Sequence, residues 1–274
     1  MIDATVMEVV GLAAAVAGAG LVAGFLAGLF GIGDGAILVP VFYQVFGLVG
    51  IDEALRMHLS VGTSLAIIVP TSISSFMSHR AKGAVDMELL KSYLFAVPLG
   101  VLVATLIFAS ISGKELRVIF AIIALVVGTR MIVNRPGWRI GDDLPRGAGR
   151  FGIGMSIGFL STLMGIGGGV LNNTFMTLFN RPIHQAVATS AGVGVLISVP
   201  GMIGSIWAGW GEPNLPVFST GYVNWLAMAL VIPITLLVAP FGARQAHKLG
   251  KRQLEVGFGV FLFIVAIRFF YSVL

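Results

Sequence analysis

The sequence predicts an all-α, polytopic membrane protein built as two inverted helical repeats, and three observations carry that reading. Of 274 residues, 57% are hydrophobic and only 11% charged, where a soluble chain carries about 25% charged residues. Apolar runs recur near 6–30, 57–78, 92–111, 116–133, 184–208, 222–242 and 253–272. Each is close to the ~20 residues that cross ~30 Å of hydrocarbon as a helix. Third, the two halves of the chain repeat one order of breaks and apolar segments.

The elements follow in order. The opening "MIDATVMEVV" is acidic where a secretory signal would be basic, so it reads as part of the mature first helix. The stretch "GLAAAVAGAGLVAG" (11–24) has the small-residue spacing of closely packed membrane helices. A break at Gly31, Gly33 and Gly35 precedes a short segment, 36–49, too short to span unaided, and three longer helices complete the first repeat (1–133). A polar linker, 134–150, leads to the second repeat (151–274), which has the same parts: a helix, a break at Gly165, Gly167, Gly168 and Gly169, a short segment 170–180, and three longer helices. The Gly-broken pair of each repeat either spans or re-enters. Pro70, Pro98, Pro200, Pro233 and Pro240 are expected to kink their helices.

The repeat is legible in aligned strings. "LFGIGDGA" (29–36) matches "LMGIGGGV" (163–170), and "GAVDM" (83–87) matches "GYVNW" (221–225). Ser60, Gly62 and Pro70 correspond to Ser190, Gly192 and Pro200; Leu116, Phe120 and Arg130 correspond to Leu254, Phe258 and Arg268. Basic residues concentrate in loops 79–91, 134–150 and 243–252, which the preference for cytoplasmic Lys and Arg puts inside together with 180–184. Loops 50–57, 110–117 and 209–221 are then outside, and both termini are outside an inner (plasma) membrane. Equivalent loops fall on opposite faces, so the repeats are inverted. Lys114 and Arg117 are the exceptions, softened by Glu115.

This distribution accounts for the pI of about 9.9 without a nucleic-acid partner; the partners read from the chain are a small anion, a coupling proton or other ion, and membrane lipid. No cysteine is present, which excludes disulfides and thiolate chemistry. With few His, Asp and Glu residues in the spans and no H-E-x-x-H or acid-rich metal motif, the chain reads as a non-enzyme without metal or cofactor. No ATP-binding loop is present, so concentrating power must come from a gradient.

The glycine breaks suggest what the repeats do. Inverted repeats with interrupted helices in corresponding positions recur in secondary transporters, with the site near the midplane. Irregular backbone at membrane depth is tolerated only where protein covers it or it lines a watery cavity. The first N–H groups of each short segment lack helical partners and carry the positive dipole end, which suits an anion. Glycine lets a ligand approach that backbone closely. Gly33, Gly35, Gly167, Gly168 and Gly169 are therefore the expected cradle. "GIGDGA" also fits the dinucleotide fingerprint, but it lacks the strand–turn–helix unit that motif needs. Asn172 and Asn173, in the first turn of the second short segment, offer amide donors. Ser60, Thr63, Ser64, Thr189 and Ser190 are hydroxyls that can complete the anion's shell, or bond back to their own helices. Asp34 either caps the first short segment or carries a coupling proton. His58 and His184 read as exposed loop histidines, and Arg130 and Arg268 as snorkelling residues.

The paired "GxGxG" loops, the elements "VGTSLA" and "VATSAGVG" and the duplicated length resemble the sulfite exporter (TauE/SafE) family, also called the toluene sulfonate uptake permeases. The resemblance covers essentially the whole chain. It implies secondary transport of small, mostly sulfur-containing anions: sulfite, sulfonates such as sulfoacetate, thiosulfate. Asp34 departs from the family's G-x-GGG loop, and Asn172 and Asn173 stand where the first copy has Leu38 and Val39. A passive anion channel would use the same dipole-lined site and is the alternative.

Overall fold

Hydrocarbon offers the backbone no hydrogen-bond partner but itself, so apolar runs of this length must fold as helices. The computed structural model, which describes residues 2–30, 35–133, 140–246 and 248–273, has ten helices and one two-stranded ribbon among those residues. Gly31, Gly33, Asp34, Arg135 and Arg139 lie outside the described residues. The helices are α1 (Ile2–Phe30), α2 (Gly35–Leu48), α3 (Glu53–Ala81), α4 (Met87–Phe108) and α5 (Gly113–Val133), then α6 (Gly147–Met164), α7 (Gly169–Leu178), α8 (Ile183–Ala208), α9 (Trp225–Ala246) and α10 (Lys251–Tyr271). An antiparallel ribbon, β1 (Ser219–Thr220) with β2 (Val223–Asn224), precedes α9.

Seven of the described helices are long and apolar enough to cross a membrane. The short segments are α2 and α7, of 14 and 10 residues. Helix α6, rich in glycine, falls outside the apolar runs yet forms 18 residues of helix.

Packing pairs α1 with α9, α4 with α6, α3 with α8 and α5 with α10, while α2 lies on α3 and α7 on α8. Backbones touch in the first two pairs: a Cβ on Gly28 would collide with the Ala239 carbonyl, and one on Gly158 with the Val97 carbonyl. The small-residue stretch of α1 packs as expected at Gly20 and Gly24, against Ile234 and Thr235, whereas Gly11 and Gly18 face open space. Helices α3 and α8 form the centre, where Leu59, Val61, Leu65, Val193 and Ile197 are fully buried.

Polar contacts tie the connections into two groups. At one end, Nη1 of Arg117, 4% exposed, pairs with Glu53 and donates to Tyr43 Oη (2.7 Å) and the Ser272 carbonyl (3.2 Å). The charge that looked misplaced among outer loops is thus neutralised locally, with Glu53 rather than Glu115 as its partner; Glu115 instead accepts from Ser112 N at 2.7 Å. At the other end Ile140 N donates to the Leu178 carbonyl (2.9 Å), Arg150 to Glu88 (3.2 Å) and Arg252 to the Met131 carbonyl (2.9 Å). Arg130 and Arg268 do more than snorkel: Arg130 donates to Thr174 of α7 (3.0 Å) and Arg268 to Gln44 of α2 (2.6 Å). Each arginine holds the short helix from the other half of the chain.

Candidate functional site

The two short helices begin at one place. Helix α6 ends where Gly165 turns left-handed (φ 66°), and Gly168 (φ 72°) turns the chain again before α7 starts at Gly169. Only glycine adopts these angles without strain. The start of α2 sits directly against this double turn: a Cβ on Gly35 would lie 2.6 Å from the Gly165 carbonyl oxygen and 2.7 Å from Ile166 Cα. The starts of α2 and α7 therefore share a single cavity of about 230 Å³.

Gly35 and Ala36 of α2 line it, as do Gly167, Gly169, Val170 and Asn173 at the start of α7. The walls are α3, through residues 68–75, and α8, through residues 187–194. These are the halves of α3 and α8 nearer the 82–86 and 179–182 connections. Among the described residues, no charged side chain lines the cavity. Its polar character comes from helix N-termini, hydroxyls and one amide.

Of the residues expected from sequence, Gly35, Gly167, Gly169, Asn173 and Ser190 meet there. Gly168 stands behind them, where a Cβ would lie 2.6 Å from Ile197 Cδ1. Asn172, with no exposed surface, is also behind the wall. Its Nδ2 donates to Ser190 Oγ (2.8 Å) and lies 3.4 Å from Met176 Sδ, while Ser190 Oγ donates to Asn173 Oδ1 (2.7 Å). A thioether only accepts, which fixes the Asn172 nitrogen on that side and sets the direction of the relay. Asn173 has its oxygen engaged, so its NH₂ is what it has left to offer. Asn172 Oδ1 is buried with no partner among the described residues, a smaller cost than a stranded donor.

The other expected hydroxyls do not line the cavity. Ser64 donates to the Gly165 carbonyl (2.8 Å) and so holds the break. Ser60 bonds back to the Arg56 carbonyl (2.6 Å), Thr63 accepts from Asn224 N (3.1 Å) and Thr189 accepts from Asp86 N (2.9 Å). Gly33 and Asp34 lie outside the described residues. Thr71, Ser72 and Ser75 of α3 line the cavity without having been anticipated. The signal was the string "PTSISS" (70–75), in which Thr71 and Ser72 have no hydroxyl partner after Pro200 while Ser75 corresponds to Ser205. His184 is exposed as expected, but His58 is buried at 5% exposure. One G-x-S-x-G string, residues 154–158, lies inside α6, where Ser156 donates to the Gly152 carbonyl (2.9 Å). It is not the strand-to-helix turn that makes a nucleophile of such a serine.

Fold and site together define a class: a polytopic α-helical membrane protein in which two short helices open on one polar cavity. The family model for sulfite exporter TauE/SafE matches residues 16–269. The chain belongs to that family, a family of membrane transporters. A probable membrane transporter protein of Haemophilus influenzae is 32% identical over 251 residues, covering 92% of this chain and 95% of that protein. One of Methanocaldococcus jannaschii is 28% identical over 244 residues (86% and 87%), and YunE, a probable membrane transporter protein of Bacillus subtilis, is 23% identical over 272 residues (92% and 95%). No solved structure matches the chain.

Proposed function

We propose that the chain is a secondary transporter that moves small, sulfur-containing anions such as sulfite, sulfoacetate or other organosulfonates across the inner (plasma) membrane by alternating access. One observation carries the reading: the N-termini of α2 and α7 open on the same cavity. Two positive dipole ends and several neutral donors then face one ligand and offset part of the dehydration of its anionic group. Among the described residues no cationic side chain lines the cavity, and a ligand that must leave is better served by such a site.

In this reading the halves are inverted repeats. The reciprocal packing of α1 on α9 and α6 on α4, and the reciprocal holds of Arg130 and Arg268 on the opposite short helices, support it. The cavity lies toward the end that carries the basic connections, so the described conformation faces the cytoplasm, with both termini outside. Asp34, beside the start of α2, serves as helix cap or as proton carrier.

Proteoliposome flux tests the function. A carrier gives saturable uptake of sulfite or sulfoacetate and counterflow against unlabelled anion inside. Non-saturating flux without counterflow would replace the carrier with a channel, and no flux of any small sulfur-containing anion would remove the reading altogether.

A further inference from the structure

At the end of α3 opposite the cavity, His58 is 5% exposed and both of its ring nitrogens face carbonyl oxygens. Nδ1 lies 3.3 Å from the Ala54 oxygen, and Nε2 lies 3.1 Å from the Ile111 oxygen in the connection between α4 and α5. A carbonyl oxygen accepts and never donates, and a neutral imidazole has one N–H. The neutral ring can satisfy one of these oxygens and must set a lone pair against the other. Only imidazolium donates to both.

The ring is also part of the seal at this end. It contacts Phe108 (centroids 4.9 Å apart) and Tyr222 (4.8 Å), one of the two residues between β1 and β2, buried in the bundle. Tyr222 N donates to the Ser205 carbonyl of α8 (3.1 Å), and a Cβ on Gly62 of α3 would collide with the Tyr222 carbonyl. Asn224 N donates to Thr63 Oγ1 (3.1 Å). The ribbon is thus a plug seated on α3 and α8, and His58 joins that plug to the α4–α5 connection.

We propose that His58 is a proton-binding site of this transporter, and that the bound proton locks the ribbon plug over the α3–α8 seam. The groups around it fit this role. Glu212, leading into the ribbon, is a negative charge within reach of the ring. Burial, with Glu212 nearby, pushes the Tyr222 phenol above its ordinary range, so it stays neutral. Arg56, two residues before His58 on α3, is committed to the Ile51 carbonyl at 2.6 Å. Helix α4 and the connection after it bring Phe108 and carbonyl oxygens to the ring. Deprotonation removes one of two charge-assisted bonds and leaves two acceptors facing each other, which loosens the plug. For its part in transport the site rests on the alternating-access reading, but the plug is testable without substrate.

Ser205, 2% exposed and beneath Tyr222, is the reporter. In this cysteine-free chain, Ser205→Cys is labelled by a membrane-impermeant thiol reagent, with Ser110→Cys, exposed, correcting for thiol ionisation. The corrected rate should rise about ten- to a hundredfold from about pH 5 to about pH 8, the effect of one lost charge-assisted hydrogen bond in the range where histidine titrates. In the His58→Gln background it should not change with pH. A flat profile in the parent, or an undiminished rise with His58→Gln, overturns the proposal. Should His58→Gln not fold, ¹⁵N spectra of the chain with His79, His184 and His247 replaced by Gln decide. Both ring nitrogens should carry protons at the acidic end and one at the alkaline end; a single neutral tautomer throughout overturns the site. Anion counterflow that survives either failure leaves the proposed function standing.

Discussion

Ser190 is the pivot of the cavity's polar wall, and Ser190→Ala isolates what it does. The hydroxyl makes two bonds, accepting from Asn172 at 2.8 Å and donating to Asn173 at 2.7 Å. Alanine keeps the size and removes both. The Asn172 NH₂ is then left with only the Met176 thioether in a site without exposed surface. A stranded buried donor costs about 1–3 kcal/mol, so the variant should unfold at lower temperature. The consequence for binding is indirect: freed from Ser190, the Asn173 amide can rotate and offer oxygen as readily as nitrogen to the anion. That should weaken binding by up to about tenfold, less than loss of the donor itself, which costs about 1.5–3 kcal/mol to a charged ligand. Sulfite- or sulfoacetate-induced thermal stabilisation of the purified protein measures the affinity. The decisive form is a double-mutant cycle with Asn173→Ala. If Ser190 acts through Asn173, Ser190→Ala adds almost nothing to Asn173→Ala. Fully additive penalties would refute the relay and make Ser190 a direct ligand.

Asn173→Ala should reduce anion affinity about ten- to a hundredfold, with the chain still inserted, whereas Val39→Ala at the corresponding first-half position should leave binding unchanged; equal binding by Asn173→Ala and the parent removes the second-half cradle. Asp34→Asn keeps a capping oxygen but cannot carry a proton; as a cap it should retain both substrate exchange and pH-driven accumulation, and selective loss of the pH-driven component would make Asp34 the carrier. Single cysteines at Lys82 and Asn214, both exposed, should label from opposite sides of the membrane. Labelling from the same side would overturn the inverted topology and the cytoplasmic opening of the cavity.

What the sequence determined by itself was local or periodic. Run length and apolarity dictate helices in hydrocarbon, so the spans, the short segments near 36–49 and 170–180, and the break at Gly165 and Gly168 were legible. Duplication in the chain pointed to the same places twice, and it singled out Gly35, Gly167, Gly169, Asn173 and Ser190, which meet at one cavity. Only the tertiary structure lays Gly35 directly on Gly165 and Ile166, so that one cavity takes both helix starts. Duplication also drew attention to hydroxyls in the aligned motifs and away from Thr71 and Ser72, which have no counterpart, and from Ser75, which matches Ser205. Which hydroxyl faces a ligand and which closes a helix bond depends on neighbours 100 or more residues away: Ser64 meets Gly165, and Thr63 meets Asn224. Adjacent asparagines show the same division. Asn173 reaches the cavity wall while Asn172 lies behind it, because successive residues on a helix point about 100° apart and only α8 decides which direction is inward. His58 is the clearest case. Its helix-start position read as exposed, and tertiary packing alone, by laying the ribbon and the α4–α5 connection over α3, buried the ring between two carbonyl oxygens.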